Sequence, residues 1–256
     1  MKVLILAGGY GTRISEESQF KPKPMIEIGG SPILWHIMKL YSYYGFNDFV
    51  ILAGYKQYVI KEYFNNYYLH HSDVTFNFAD NKMQVHRNNS EPWKVTILDT
   101  GLDTGTGGRI KKAKEFIGNE PFFLTYGDGV SNVNIKELLE FHKSKKHLVT
   151  VTAIPAAQKF GVLQLSSNNS VKSFREKNNL DSSMINGGFM VCEPECINYI
   201  DGYDEMFEKE PITKLCLANE VDAFIHNGFW HCMDTKRDKD ELEKMWDDKV
   251  APWKVW

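Results

Sequence analysis

Residues 6–13 of this 256-residue chain read Leu6-Ala7-Gly8-Gly9-Tyr10-Gly11-Thr12-Arg13, three glycines and a basic residue set directly after an apolar run. Glycine lets backbone approach a ligand closely, and N–H groups at the end of a strand form a cradle for an anion. Arg13 and the lysines of Lys21-Pro22-Lys23-Pro24-Met25 supply the positive charge that a polyphosphate needs. The loop is not a Walker A motif, because no Gly-Lys-Ser/Thr follows, and the third glycine of a dinucleotide fingerprint is absent. A lone Gly-Gly-x-Gly would be an ordinary strand-to-helix turn. Its company here, Thr12-Arg13 and then Lys21 to Pro24, favours a nucleotide.

Two carboxylates stand in comparable settings. Asp128 follows an apolar run in Tyr126-Gly127-Asp128-Gly129, and Asp234 follows Trp230-His231-Cys232-Met233 just before a helical pattern. Either could be a turn former or a helix N-cap, and Asp234 could be a cap and a ligand at once. Other clusters read as structural. His70, His71 and His86 lack the spacing of a metal site. The aromatic run from Tyr55 to Tyr68 has helical spacing, which suits a core or a subunit interface. Lys143, Lys145 and Lys146 follow a helix and read as its solvated end.

The elements that must hold these residues alternate between strand and helix. Apolar strands are expected up to Ala7, at 49–53, 93–99, 122–126 and 148–154, and helices at 55–68, 109–116 and 135–142. A further helix should begin at Ser31-Pro32, with Ser31 as N-cap, and stop at Gly45. The second half is richer in strands, at 161–165, 171–174, 187–191 and 221–225, with helices at 194–200, 213–218 and 238–246. Residues 71–92 are irregular and suit an inserted hairpin used in assembly. Alternation of this kind implies an α/β fold with a Rossmann-like, doubly wound, mostly parallel sheet. Ligands of such sheets sit outside the carboxyl ends of the strands, where the 8–13 loop and Gly127-Asp128 both emerge.

Bulk properties narrow the class. A net charge of −3 argues against nucleic acid as the main partner. No apolar run approaches the length of a membrane span. Cys192, Cys196, Cys216 and Cys232 form neither a C-x-x-C pair nor a zinc spacing, so a reduced cytoplasmic protein without membrane partners is expected.

The stretch from Leu6 to Arg13, with Lys21 to Met25, resembles the signature of the sugar-1-phosphate nucleotidyltransferases. The match extends through Met25 to Ile37, Gly54-Tyr55-Lys56, Glu91-Pro92-Trp93, Thr106-Gly107-Gly108-Arg109 and Ala251-Pro252-Trp253-Lys254. These later stretches resemble the family's cytidylyl branch, and together they span nearly the whole chain.

The resemblance implies one domain of the nucleotide-diphospho-sugar transferase type. Its nucleotide half would be about 1–130 and its sugar-phosphate half about 131–256. It implies that CTP is joined to a hexose 1-phosphate, glucose 1-phosphate first, with Mg²⁺ and release of pyrophosphate. UTP or dTTP, another acceptor, or a non-catalytic nucleotide sensor are the alternatives. By the same resemblance Arg13, Lys23 and Asp128 would be catalytic, with Arg13 on the leaving pyrophosphate and Lys23 bridging the reacting phosphates. Asp128 and Asp234 would hold the metal. The nucleotide would lie against Leu6, Ala7, Gly8, Gly9, Gly11, Thr12 and Gly127, its base beside Thr104, Gly107, Gly108 and Arg109. For Thr104 a plain flexible loop is an equal reading. The sugar phosphate would meet Tyr126, Gly161, Glu176, Lys177, Asn186 and Gly187. Asn178-Asn179-Leu180 and residues 155–159 depart from the family pattern, which leaves the choice of sugar open. A homo-oligomer is implied, a hexamer being one such form.

Overall fold

Lys2–Ala7 (β1) forms an inner strand of a seven-stranded sheet, flanked by Asp48–Ala53 (β4) and Phe122–Tyr126 (β8), both parallel to it. The computed structural model describes residues 1–14, 18–155, 162–165, 171–175 and 184–256, with backbone alone at 13, 162–165 and 171–175. Beyond β4 lies Lys94–Asp99 (β7), and beyond β8 lie Met184–Cys192 (β13), Val149–Pro155 (β10) and Val221–Ile225 (β14). Only β13 runs against its two neighbours in this sheet. The expected mostly parallel, mixed sheet is what the chain forms.

Alternation along the strands explains the layering. Val3, Ile5 and Ala7 of β1 face one apolar cluster, and Leu4 and Leu6 face the other, as successive side chains on a strand must. The first cluster is covered by helices Ile33–Tyr43 (α1), Gln57–His70 (α2), Ile135–Lys145 (α5) and Lys236–Asp247 (α7). The second is covered by Thr106–Lys112 (α3), Lys114–Ile117 (α4) and Glu210–Leu217 (α6). Buried on both faces, β1 and β4 have to be continuous apolar runs.

Several expectations are corrected. Ser31–Pro32 (β3) does not cap α1; it pairs with Glu27–Ile28 (β2). Gly29 and Gly30 join the two at φ 58° and 75°, the double left-handed turn that Gly-Gly supplies to a two-residue hairpin. The helix expected at 109–116 starts at Thr106 and is split at Ala113. The stretch at 194–199 is a 3₁₀ helix. The hairpin expected within 71–92 does form, as Ser72–Asn77 (β5) paired with Lys82–Asn88 (β6). Val162–Leu165 (β11) and Val171–Arg175 (β12) form a separate antiparallel pair.

A small ribbon decides the site. Gly129–Ser131 (β9) pairs with Trp230–Cys232 (β15), with Cys232 opposite Gly129, and Met233 N donates to Asp128 O at 2.8 Å. Chain segments a hundred residues apart are thereby laid side by side just past the end of β8.

Candidate active site

At the carboxyl end of the sheet, Gly127 N donates to Leu6 O at 2.9 Å, locking the β1 and β8 exits together. The space above them is a cavity of about 350 Å³. Leu6, Ala7, Gly8, Gly9, Gly11, Thr12, Lys23, Thr104, Arg109, Tyr126, Gly127, Asp128 and Asp234 all line it. A second cavity of about 250 Å³ opens beside the first and holds Asn186, Gly187 and Trp230. The two share Tyr126, Asp128 and Asp234. Of the expected residues among those described, these alone are brought to the two adjoining cavities, with the carboxylates Asp128 and Asp234 on both walls.

Lys23 is aimed at that junction by its neighbours. Pro22 is extended, Lys23–Met25 forms one 3₁₀ turn, and Pro24 and Met25 are buried beneath it. The ammonium thus leaves the turn toward the cavity and reaches Asp128 Oδ2 and Asp234 Oδ1, each at 2.6 Å. Burial opposes its charge, but Asp128 and the hydrogen bonds to both carboxylates outweigh burial and hold the ammonium above its ordinary value.

Asp234 is placed from both sides. The β9–β15 ribbon sets its backbone beside Asp128. The capping box of α7, between Thr235 and Asp238, takes the helix N-terminus, and Asp238 Oδ2 accepts from Asp234 N. Asp234 is therefore not the cap; Thr235 is, which leaves the Asp234 carboxylate to face Lys23. Oxygens of Asp128 and Asp234 and the Cys232 sulfur lie within 4.8 Å of one another. Burial and the Asp128 charge push the Cys232 thiol up, so two hard carboxylate oxygens are the donors suited to a cation such as Mg²⁺. An ammonium held between them marks the spot as one that accepts positive charge.

The base-side residues divide. Thr104 lines the cavity, and its hydroxyl donates to Thr100 O at 2.5 Å. Arg109 lines it too, yet is only 4% exposed. Its guanidinium donates to Gly8 O, Ala53 O, Gly101 O, Leu102 O and the Thr100 hydroxyl. It ties the ends of β1, β4 and β7 into one rim. Gly107 and Gly108 are not brought to the cavity wall: both their N–H groups donate to Glu205 O. A Cβ on Gly108 would stand 1.8 Å from Tyr203 O, so this glycine is required by the close approach of another segment.

Two contacts of Tyr126 depend on the fold and have no local signal in the sequence. Glu208 receives the Tyr126 hydroxyl at 2.5 Å and the Thr106 hydroxyl at 2.6 Å. Burial first and then the Glu208 charge push the Tyr126 phenol up. Gly188, at φ 83°, lies so close to the Tyr126 ring that a Cβ would be 2.3 Å from Cδ2. Gly161, Glu176 and Lys177 lie outside the described residues, as does the side chain of Arg13.

Two cavities thus meet at two carboxylates that one lysine bridges. The pattern of the Nucleotidyl transferase family matches residues 2–248; the chain belongs to that family and is a nucleotidyltransferase. It is 52% identical over 257 residues, the whole of both chains, to the glucose-1-phosphate cytidylyltransferase of Salmonella typhi. Its fold matches a UDP-glucose pyrophosphorylase complexed with UDP-glucose, with a TM-score of 0.69 at 18% identity over 97% of this chain and 98% of the other. HddC from Yersinia pseudotuberculosis complexed with GMP-PN gives 0.68 at 23% identity over 96% and 99%.

Proposed function

We propose that this chain transfers the cytidylyl group of CTP to α-D-glucose 1-phosphate, forming CDP-glucose and releasing pyrophosphate. The carrying observation is Lys23 Nζ at 2.6 Å from both Asp128 and Asp234, where the two cavities join. Full-length identity to a curated enzyme of that activity supports the choice of substrates.

In this reading an oxygen of the sugar phosphate attacks the α-phosphorus in line with the departing pyrophosphate. The protein's part is positioning and neutralisation of charge. The open backbone of Gly8, Gly9 and Gly11 carries the triphosphate, with Arg13 on the leaving pyrophosphate. Lys23, which the incoming phosphates draw away from the carboxylates, spans the two reacting groups. Tyr126, Asn186 and Gly187 wall the acceptor side, and the family resemblance gives Gly161, Glu176 and Lys177 a part in binding the sugar phosphate. Thr104 and Arg109 bound the base. Enzymes of this family use a divalent metal, and Mg²⁺ is our assignment here. Asp128 and Asp234 would hold it, and when bound it supplies Lewis-acid neutralisation of the phosphates.

We place the enzyme in the cytoplasm as a homo-oligomer. No helix among the described residues is long and apolar enough to cross a membrane. The β5–β6 hairpin leaves Phe76 and Phe78 exposed, and a two-stranded hairpin standing alone in water is barely stable, which supports a second copy of the chain against it. Light scattering on a Phe76→Asp, Phe78→Asp variant tests that point.

The activity is tested by pyrophosphate release from wild type and Asp128→Asn. The substitution should remove nearly all turnover while leaving the melting temperature close to wild type. Full turnover in the variant would refute the role of Asp128.

A further inference from the structure

Glu208 lies on neither cavity wall, yet its two oxygens hold Thr106 of the first cavity and Tyr126, which the two cavities share. Oε1 accepts from the Tyr126 hydroxyl at 2.5 Å, and Oε2 from the Thr106 hydroxyl at 2.6 Å. A carboxylate has only acceptors to offer, so the single proton of the Tyr126 hydroxyl is committed to Glu208. What remains on that oxygen for a ligand is a lone pair.

The neighbouring amide is oriented by the same logic. Gly188 N can only donate, and it donates to Asn186 Oδ1 at 2.9 Å. Asn186 Nδ2 is thereby turned toward the Tyr126 oxygen, which it meets at a long 3.4 Å. The second cavity thus presents an acceptor and a donor side by side, each with its polarity fixed from behind. A hydroxyl group donates one hydrogen bond and accepts others, so it satisfies both at once. A carbonyl or phosphate oxygen satisfies only Asn186.

We propose that Glu208 is a positioning residue that fixes Tyr126 as a hydrogen-bond acceptor, so that the Tyr126–Asn186 pair selects a sugar hydroxyl of the acceptor substrate. The inference rests on the cytidylyltransferase reading above. Thr106 is held independently by Phe207 N at 2.8 Å, so loss of Glu208 should act mainly on the sugar side.

The test is steady-state kinetics of pyrophosphate release with CTP and α-D-glucose 1-phosphate for wild type, Tyr126→Phe, Glu208→Ala and the double variant. Each single substitution should raise the acceptor KM about five- to tenfold, the worth of one hydrogen bond. The KM for CTP should move less than about twofold, and the double variant should be no worse than either single one. A Glu208 that merely holds the fold would instead lower kcat or raise both KM values, and its effect would persist in the Tyr126→Phe background; either result overturns the proposal. If Glu208→Ala does not fold, Glu208→Gln keeps the volume and one acceptor. It should show the same acceptor-specific pattern at smaller amplitude, and an acceptor KM equal to wild type would overturn the proposal. Wild type inactive with every sugar 1-phosphate would overturn the cytidylyltransferase reading and this inference with it. Wild-type turnover with additive variants would overturn the inference alone.

Discussion

Replacing Lys23 by Met tests the junction directly. Two charge-assisted hydrogen bonds of 2.6 Å disappear, and the carboxylate oxygens are left facing each other within 4.8 Å. A charge-assisted bond is worth about 1.5–3 kcal/mol when buried. Here Asp128 and Asp234 are 28% and 37% exposed, which reduces each to about 1 kcal/mol. Repulsion between unit charges at that separation lies between about 1 kcal/mol in water and about 3.5 kcal/mol near a protein surface. The variant should therefore lose about 3–5 kcal/mol and melt about 6–20 °C lower by calorimetry. Turnover should fall about 10²–10³-fold, the usual effect of removing one group that stabilises transition-state charge. A divalent cation can replace the missing ammonium, so Mg²⁺ without nucleotide should raise the melting temperature of Lys23→Met more than that of wild type. Unchanged stability, or Mg²⁺ responses equal in both proteins, would show that Lys23 does not neutralise the carboxylate pair.

Three more outcomes are expected. Arg109→Lys cannot reproduce five hydrogen bonds to three strand ends; urea unfolding should show a loss of about 2–4 kcal/mol, with a raised KM for CTP, and wild-type stability would refute the rim role. Gly188→Ala pushes a Cβ to 2.3 Å from the Tyr126 ring at φ 83°, so it should cost about 2 kcal/mol and raise the acceptor KM more than that of CTP; equal effects on both would count against it. His36 is buried between Ile28 O and Trp253 Nε1, and burial lowers its value from 6.5 to about 4. Between those values the unfolded chain takes up a proton that the folded one refuses. Stability should therefore fall as pH drops from 6.5 to about 4, by about 3 kcal/mol in all. Melting curves of His36→Gln should lack that component, and an identical pH slope would refute it.

What the sequence disclosed follows from how local each signal is. β1 and β4 were legible because strands buried on both faces must be unbroken apolar runs. Lys23 was legible through the family resemblance of Lys21 to Met25, and the structure supplies its physical reason in the extended Pro22 and buried Pro24 on either side. The meeting of Asp128 with Asp234 has no local signal, since it depends on two three-residue strands a hundred positions apart. Residue types suggested a helix cap for Asp234, but Thr235-x-x-Asp238 is the stronger pattern and wins the cap. Thr104, Gly107, Gly108 and Arg109 were expected beside the base. In the fold the two glycines accommodate residues 203–205 and the arginine braces strand ends. Glu208 stands in an unremarkable stretch, and only tertiary contact joins it to Tyr126. At Ser31–Pro32, Gly-Gly hairpin chemistry outweighed the capping preference.

The central claim is that the two cavities joined at Lys23, Asp128 and Asp234 bring CTP and a sugar 1-phosphate together. Initial rates of pyrophosphate release over a panel of CTP, UTP, dTTP, ATP and GTP, crossed with glucose, mannose and galactose 1-phosphates in Mg²⁺, test it most directly. The highest kcat/KM is expected for CTP with α-D-glucose 1-phosphate, and CDP-glucose as product by mass spectrometry. Absence of pyrophosphate release from CTP with every sugar phosphate would contradict it.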